Sequence, residues 1–427
     1  MKKYVKKITT NPLFLGSAIM MIGLNGISVL NYIYHLILGR LLGPTNYGEL
    51  AALISLVGLL GIIPSSLNLV VVKYVSSAKD EKEVNNLTDW LRSWLLKISI
   101  IFFLTIVLAS PAISSFLHID NIIYIVLISL SLVFSLHALF NRAILQGFLK
   151  FKQMIFSIFI ENITKLVTSI LLVYIGFSVG GAMVAFLIAT IVGWYQTNSY
   201  LKYRKNYNSV PPKNIKPIIQ FIIPVFIQSI SMTSLYSTDV ILVKHFFSSF
   251  DAGIYAAVAT LGKIIFFATG PISTVMFPLV SQRQSKGQNH SNIFIMSFLA
   301  TGIIAVGVLI GYWFVPQFAI GLLYGELYLT GTNLLFLYGV FITLFTLSVL
   351  LINYGLSLGK TKIVLFALGA AIAQPILILF FHHSLQEIIV VSLLVTALLL
   401  VCLFIYSTYG RAIRSRNKID LSNSAGF

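Results

Sequence analysis

Apolar residues recur along this chain in blocks of about twenty, separated by short polar segments, and the blocks continue almost to residue 408. A helix of that length rises about 30 Å, enough to cross the hydrocarbon core of a bilayer. Backbone groups find no partner in lipid, so such blocks are predicted to be helices. A transmembrane barrel would show short alternating segments, and none is present. The pattern predicts about twelve spans, at 13–38, 50–72, 98–117, 122–146, 154–175, 180–201, 219–243, 253–279, 293–315, 333–356, 363–381 and 387–408. The expected fold is therefore an all-α polytopic membrane protein.

Composition agrees with this pattern. Hydrophobic residues make up 58% of the 427 positions and charged residues 10%, against roughly 25% charged in a soluble domain. The formal net charge of +17 would suggest nucleic acid in a soluble protein. Here the cations alternate with the spans. Twenty-five lysines and arginines fall on one side, only Arg40 and Lys244 on the other, and Lys165 and Lys263 inside spans. The basic side reads as cytoplasmic, with both termini on it, in a cell membrane. The first apolar run has no clear small-residue cleavage site and reads as a retained helix. A single cysteine, Cys402, permits no disulfide within the chain.

A basic segment, 202–218, with Pro211-Pro212 divides the spans into two sets of six. The expected organisation is an N-terminal lobe over 1–201, this linker, a C-terminal lobe over 219–408 and a basic tail over 409–427. The halves echo each other at an offset of about 205 residues. Gly48-Glu49-Leu50-Ala51-Ala52-Leu53 corresponds to Gly253-Ile254-Tyr255-Ala256-Ala257-Val258, and Pro64-Ser65-Ser66 resembles Pro271-Ile272-Ser273 after a slip of two. Halves with six spans each would be parallel repeats.

No phosphate-binding loop, zinc spacing or other enzyme signature is found, so no catalytic residue, metal or cofactor is expected. The pair His382-His383 reads as a polar turn. Ionisable groups at membrane depth are the informative positions, because each is costly unless it faces a cavity or a partner. Glu161 and Lys165 stand one turn apart, acid before base, an arrangement that favours a pair on one face. Lys263 lies ten or more residues from either end of its span and cannot readily reach water. Asp239 lies near the external end of the seventh span, where Lys244 or Lys263 could partner it. Arg40 ends the first span on the charge-poor side, facing either a substrate phosphate or Glu49. Arg142, beside Asn141, either snorkels to headgroups or faces the interior. Asn25, Asn31 and His35 on the first span read as polar contacts between helices. Prolines inside spans, at 64, 224, 271 and 375, would kink them.

The stretch Leu38-Gly39-Arg40-Leu41-Leu42-Gly43-Pro44-Thr45-Asn46-Tyr47-Gly48 resembles the junction of the first two helices in polysaccharide biosynthesis flippases, the O-antigen-type exporters of lipid-linked oligosaccharides. Asp239-Val240-Ile241-Leu242-Val243, followed by Asp251-Ala252-Gly253-Ile254-Tyr255-Ala256 and Phe277-Pro278-Leu279, resembles the matching part of their second half. The wider superfamily includes lipid II flippases and multidrug and toxin extrusion transporters. The resemblance implies two six-helix lobes around a central cavity and a flippase that is not an enzyme. Its substrate would be an undecaprenyl-diphosphate-linked glycan, moved from the cytoplasmic to the external leaflet by alternating access. Membrane lipid, H+ or Na+, and polymerase or ligase machinery are the further partners implied, with no nucleic acid. A pyrophosphate needs cations in a shielded cavity, and Lys263, Lys165, Arg40 and Arg142 are the candidates. Glu161 and Asp239 are candidates for ion coupling or pairing. The alternatives are a drug or cation antiporter of the same architecture and a membrane-embedded polysaccharide ligase or polymerase.

Overall fold

The computed structural model describes residues 12–62, 68, 71–72, 75, 81–201 and 216–424. Pro64-Ser65-Ser66, the lysines before residue 12 and most of the basic central linker lie outside the described residues. Among those described, the chain is helical: α1 Pro12–Leu60, α2 Glu81–Leu117, α3 Ile123–Gly147, α4 Phe151–Leu172, α5 Ser178–Tyr200, α6 Lys216–Phe246, α7 Ser249–Gly262, α8 Ile264–Ser285, α9 Ser291–Phe314, α10 Pro316–Leu323, α11 Thr332–Ser357, α12 Val364–Phe380 and α13 Leu385–Ser424.

Nine stretches among the described residues are long and apolar enough to cross a membrane. Two of them hold two expected spans each. Ile22–Leu60 contains most of the first span and the start of the second, and Phe151–Tyr200 contains nearly all of the fifth and sixth. With α6 over the seventh, the architecture agrees with about twelve. Large apolar side chains such as Leu108, Met296, Ile303, Phe314 and Leu398 are exposed. An apolar surface this extensive is explained by lipid contact, not by water.

Local chemistry sets the helix ends. α1 breaks at Gly43, whose φ of 67° and ψ of 173° suit a residue without a side chain. Pro44 then opens the next helical segment, where its missing N–H costs nothing. The expected loop over 39–49 is thus almost entirely helical, and Arg40 sits in a last turn. Gly176, at φ 102°, makes the turn between α4 and α5. Ser384 and Glu387 cap α13 in a variant of the capping box: Ser384 Oγ accepts from the Glu387 N–H at 3.1 Å, and Glu387 Oε2 accepts from the N–H of the preceding His383 at 2.7 Å. The His382-His383 pair is part of this polar turn. α2 begins well before the expected residue 98, because its charged first turns continue the helix beyond the apolar stretch.

The chain forms two compact units. The first comprises Met1–Ser229, Val240–Ala257 and Gly321–Leu329. In it α4 packs on α1 and α5, α5 on α3, and α3 on α2. A buried cluster of Val84, Leu95, Leu136, Phe140 and Ile144 joins α2 to α3. The second comprises Ile230–Asp239, Val258–Ile320 and Thr330–Phe427. There α11 packs against α8, α9 and α13, and α12 against α13. Its aromatic seam stacks Phe294 on Tyr354, with ring centroids 4.3 Å apart.

Candidate functional site

Inside the first unit, α1, α3, α4 and α5 enclose a polar core. Arg142 Nε donates to Ser157 Oγ at 2.9 Å, and its Nη2 donates to Glu161 Oε2 at 2.5 Å. Both side chains are largely buried, at 10% and 17% exposure. A Cβ on Gly193 of α5 would lie against both the Glu161 carboxylate and the Arg142 guanidinium, so the missing side chain there makes room for the pair. Asn141 continues the network, accepting from Arg92 at 3.0 Å and donating to Thr197 at 3.3 Å.

One turn along α4, Lys165 is held differently. Its Nζ donates to Asn31 Oδ1 at 2.6 Å and lies 4.7 Å from the centroid of the Tyr34 ring. Glu161 therefore forms its ion pair with Arg142, not with Lys165. The α3 guanidinium reaches the carboxylate from a neighbouring helix and makes a charge-assisted contact that the i,i+4 spacing alone does not provide.

The second unit holds a parallel arrangement. Lys263 lies at the break between α7 and α8, with Nζ 5.2 Å from the centroid of the Tyr236 ring. Asp239 is fully buried and accepts from the Tyr338 hydroxyl at 3.0 Å. Lys263 stands in the field of Asp239, but among the described residues neither it nor Lys165 has a carboxylate within salt-bridge distance. Sequence reasoning found both lysines and Asp239 and missed their aromatic partners, Tyr34, Tyr236 and Tyr338 respectively. Tyr34 stands three residues from Asn31 and so shares its face, which was a readable signal.

Arg40 is occupied by backbone. Its guanidinium donates to the carbonyls of Leu322 and Leu323, the latter at 3.0 Å, at the C-terminal end of α10. A cation there meets the negative end of a helix and its unpaired carbonyls. Glu49 is not its hydrogen-bond partner. In the second half of the sequence His245 lies 205 positions on, and its Nδ1 is 2.6 Å from the Phe116 carbonyl. Beside it Lys244 donates to the His118 carbonyl at 3.2 Å and to Ser249 Oγ at 2.7 Å, in the field of Glu49 and Asp120. Residues 116 and 118 correspond to 321 and 323 at the same offset, and Pro111 of α2 to Pro316 of α10. The same cap is thus made twice, each time by one half of the sequence on a helix end of the other.

The echo segments meet in this region. A Cβ on Gly48 would lie 2.5 Å from the Ser249 carbonyl oxygen, and one on Gly253 would overlap the Pro44 carbonyl. Gly48 and Gly253 correspond at the 205-residue offset, as do Pro44 and Ser249. Residue i touching j and j touching i is the mark of a local two-fold relation. The contact lies within the first unit. Tyr47, Tyr324 and Tyr328 fill the space behind it. The Tyr47 and Tyr324 hydroxyls are 3.1 Å apart, Tyr47 is 3.1 Å from His35 Nδ1, and Tyr328 donates to the Gly39 carbonyl at 2.7 Å.

Comparison with known proteins gives these features a context. Residues 37–332 match the family described as polysaccharide biosynthesis protein. An uncharacterized membrane protein of Methanocaldococcus jannaschii is 26% identical over 292 residues, covering 65% of this chain and 70% of its own. Solved structures share the fold, two of them as follows. A multidrug resistance MATE family transporter of the MOP superfamily, in an inward-facing conformation, matches with a TM-score of 0.78 at 14% identity, over 91% of this chain and 96% of its own. The lipid II flippase MurJ, in an inward closed conformation, matches with a TM-score of 0.74 at 14% identity, over 91% and 87%.

Proposed function

This chain belongs to the polysaccharide biosynthesis protein family, and on that premise we propose that it is a flippase for a lipid-linked glycan. In this reading an undecaprenyl-diphosphate-linked oligosaccharide or repeat unit moves from the cytoplasmic to the external leaflet by alternating access, and the basic side of the sequence with both termini is cytoplasmic. The observation that carries the reading is the state of the two intramembrane lysines. Lys165 is held by an amide oxygen and a ring face, and Lys263 by a ring face. Neither has a contacting carboxylate, so an anion such as a diphosphate that reached either lysine would meet no competing acid there. Glu161 is paired with Arg142, which removes it as a counter-charge for a cationic substrate.

The test uses the purified protein in proteoliposomes with labelled undecaprenyl-diphosphate glycans. Access of an impermeant sugar-binding protein reports the leaflet. The expected result is protein-dependent exposure that falls about ten- to a hundredfold in Lys165→Ala and in Lys263→Ala, the loss of one charged hydrogen bond of about 1.5–3 kcal/mol. Exposure unchanged in both variants would remove the lysines from the pathway. No exposure with any such glycan would shift the substrate to small amphipathic cations.

A further inference from the structure

The second unit holds a cavity of about 490 Å3 within the apolar length of α8, α9 and α11. Its volume falls in the usual range of small-molecule sites, ~300–1,000 Å3. Its lining departs from the rest of the membrane interior. Five hydroxyls, from Thr269, Ser273, Thr274, Thr301 and Thr346, and the Asn353 amide converge on it, and no lining residue is ionisable. Phe266 and Phe277 add aromatic faces.

Hydrogen-bond accounting says what this wall would welcome. Thr269 donates to the Ile265 carbonyl, Thr274 to Gly270 and Thr346 to Ile342. Their protons are thus spent on their own helices, while the lone pairs remain as acceptors. Pro278 has no N–H, so the Thr274 carbonyl one turn before it loses its usual i+4 donor. Thr301 is 1% exposed, and its Oγ1 has no hydrogen-bond partner among the described residues. The wall is therefore uncharged and largely apolar, carries hydroxyl lone pairs, and is bordered by one buried hydroxyl, Thr301 Oγ1, without a protein partner among the described residues.

We propose that this cavity binds a neutral sugar ring, seated by its hydroxyls on Thr301, the Thr274 carbonyl and the threonine lone pairs, with its C–H face on Phe266 or Phe277. This inference rests on the glycan reading above and names a subsite for the sugar, apart from the lysines proposed for the phosphates. Other occupants fit less well. An anion would meet acceptors and no cation. A lipid chain would leave the Thr301 hydroxyl and the Thr274 carbonyl unmet, at the cost of burying unpaired polar groups. An organic cation would find no counter-charge in the wall.

The test is saturation-transfer NMR on the full chain in nanodiscs, with free glucose, rhamnose and N-acetylglucosamine as probes. Two substitutions report on the cavity. Thr301→Val keeps the shape and removes the hydroxyl. Gly270→Leu fills the space, since a Cβ at Gly270 has nothing within 4 Å. The expected result is signal from at least one sugar, weakened about fivefold or more in Thr301→Val, restored in Thr301→Ser and lost in Gly270→Leu. Binding of glycan-free undecaprenyl diphosphate would stay within about twofold in the same variants. The proposal is overturned by absence of signal from all three sugars, by signal indifferent to the substitutions, or by tetraphenylphosphonium or a hydrocarbon chain occupying the cavity in place of sugar. Sugar binding without glycan-lipid movement would keep this subsite and sink the flippase reading. Movement without sugar binding would do the reverse.

Discussion

The paired close approach of Gly48 and Gly253 permits a quantitative prediction. An added Cβ at Gly48 would sit 2.5 Å from the Ser249 oxygen and 2.7 Å from the Gly253 nitrogen, below the 3.0 Å floor for real contacts. Relief requires the two segments to part by about half an ångström. At Gly253 the clash is with the Pro44 backbone, 2.5 Å from its carbonyl carbon and closer to its oxygen, so the separation must be larger. Neither obstacle is a flexible side-chain tip. Overpacking of this kind costs about 1–3 kcal/mol, while alanine for glycine in a helix returns about 1 kcal/mol. Gly48→Ala should therefore destabilise by about 1 kcal/mol and Gly253→Ala by about 2 kcal/mol. Both substitutions push the same two segments apart, so the double variant should cost less than the sum by about 1 kcal/mol. Denaturant unfolding of the full chain in bicelles, followed by tryptophan fluorescence, gives all three values. A neutral Gly253→Ala, or strict additivity, would refute the shared-contact reasoning.

Two further outcomes follow from the buried acids. Glu161→Ala should destabilise by about 3–5 kcal/mol, because it strands the Arg142 guanidinium in a largely buried site; the same unfolding assay checks it, and a loss under 1 kcal/mol would mean that Arg142 reaches water. Asp239 is proposed to carry the coupling ion, H+ or Na+. Asp239→Asn should then leave downhill glycan movement intact and abolish the response to an imposed ion gradient in proteoliposomes, whereas undiminished gradient-driven export would remove Asp239 from coupling.

The membrane fold was legible because lipid imposes one rule on every span, so twenty-residue apolar blocks suffice to lay it out. Lys165 and Lys263 were legible for the same reason, as charges where charge is expensive. Their surroundings were not. Glu161 has a basic neighbour at i+4, yet Arg142 from another helix takes it, because local spacing records who is near along the chain and not who arrives across it. The acceptors of Arg40 are the carbonyls of Leu322 and Leu323, and a backbone carbonyl leaves no mark in a sequence. The glycine echo at 48 and 253 was visible as similarity, but that the two segments touch requires the fold. The hydroxyl-lined cavity was invisible because its threonines and serines, scattered over α8, α9 and α11, read singly as ordinary helix residues.

The way Lys165 and Lys263 are held has a bearing on speed. A cation clamped by a carboxylate must lose that partner before it can grasp an incoming anion, and must regain it before the anion leaves. A tyrosine face holds a desolvated ammonium by about 2 kcal/mol and keeps no net charge of its own. An anion that reaches Lys165 or Lys263 displaces only a ring contact or an amide, and on departure the ring reclaims the ammonium without a counter-ion having to return. On the proposed reading, cargo would bind at and leave these lysines without exchange of a counter-ion.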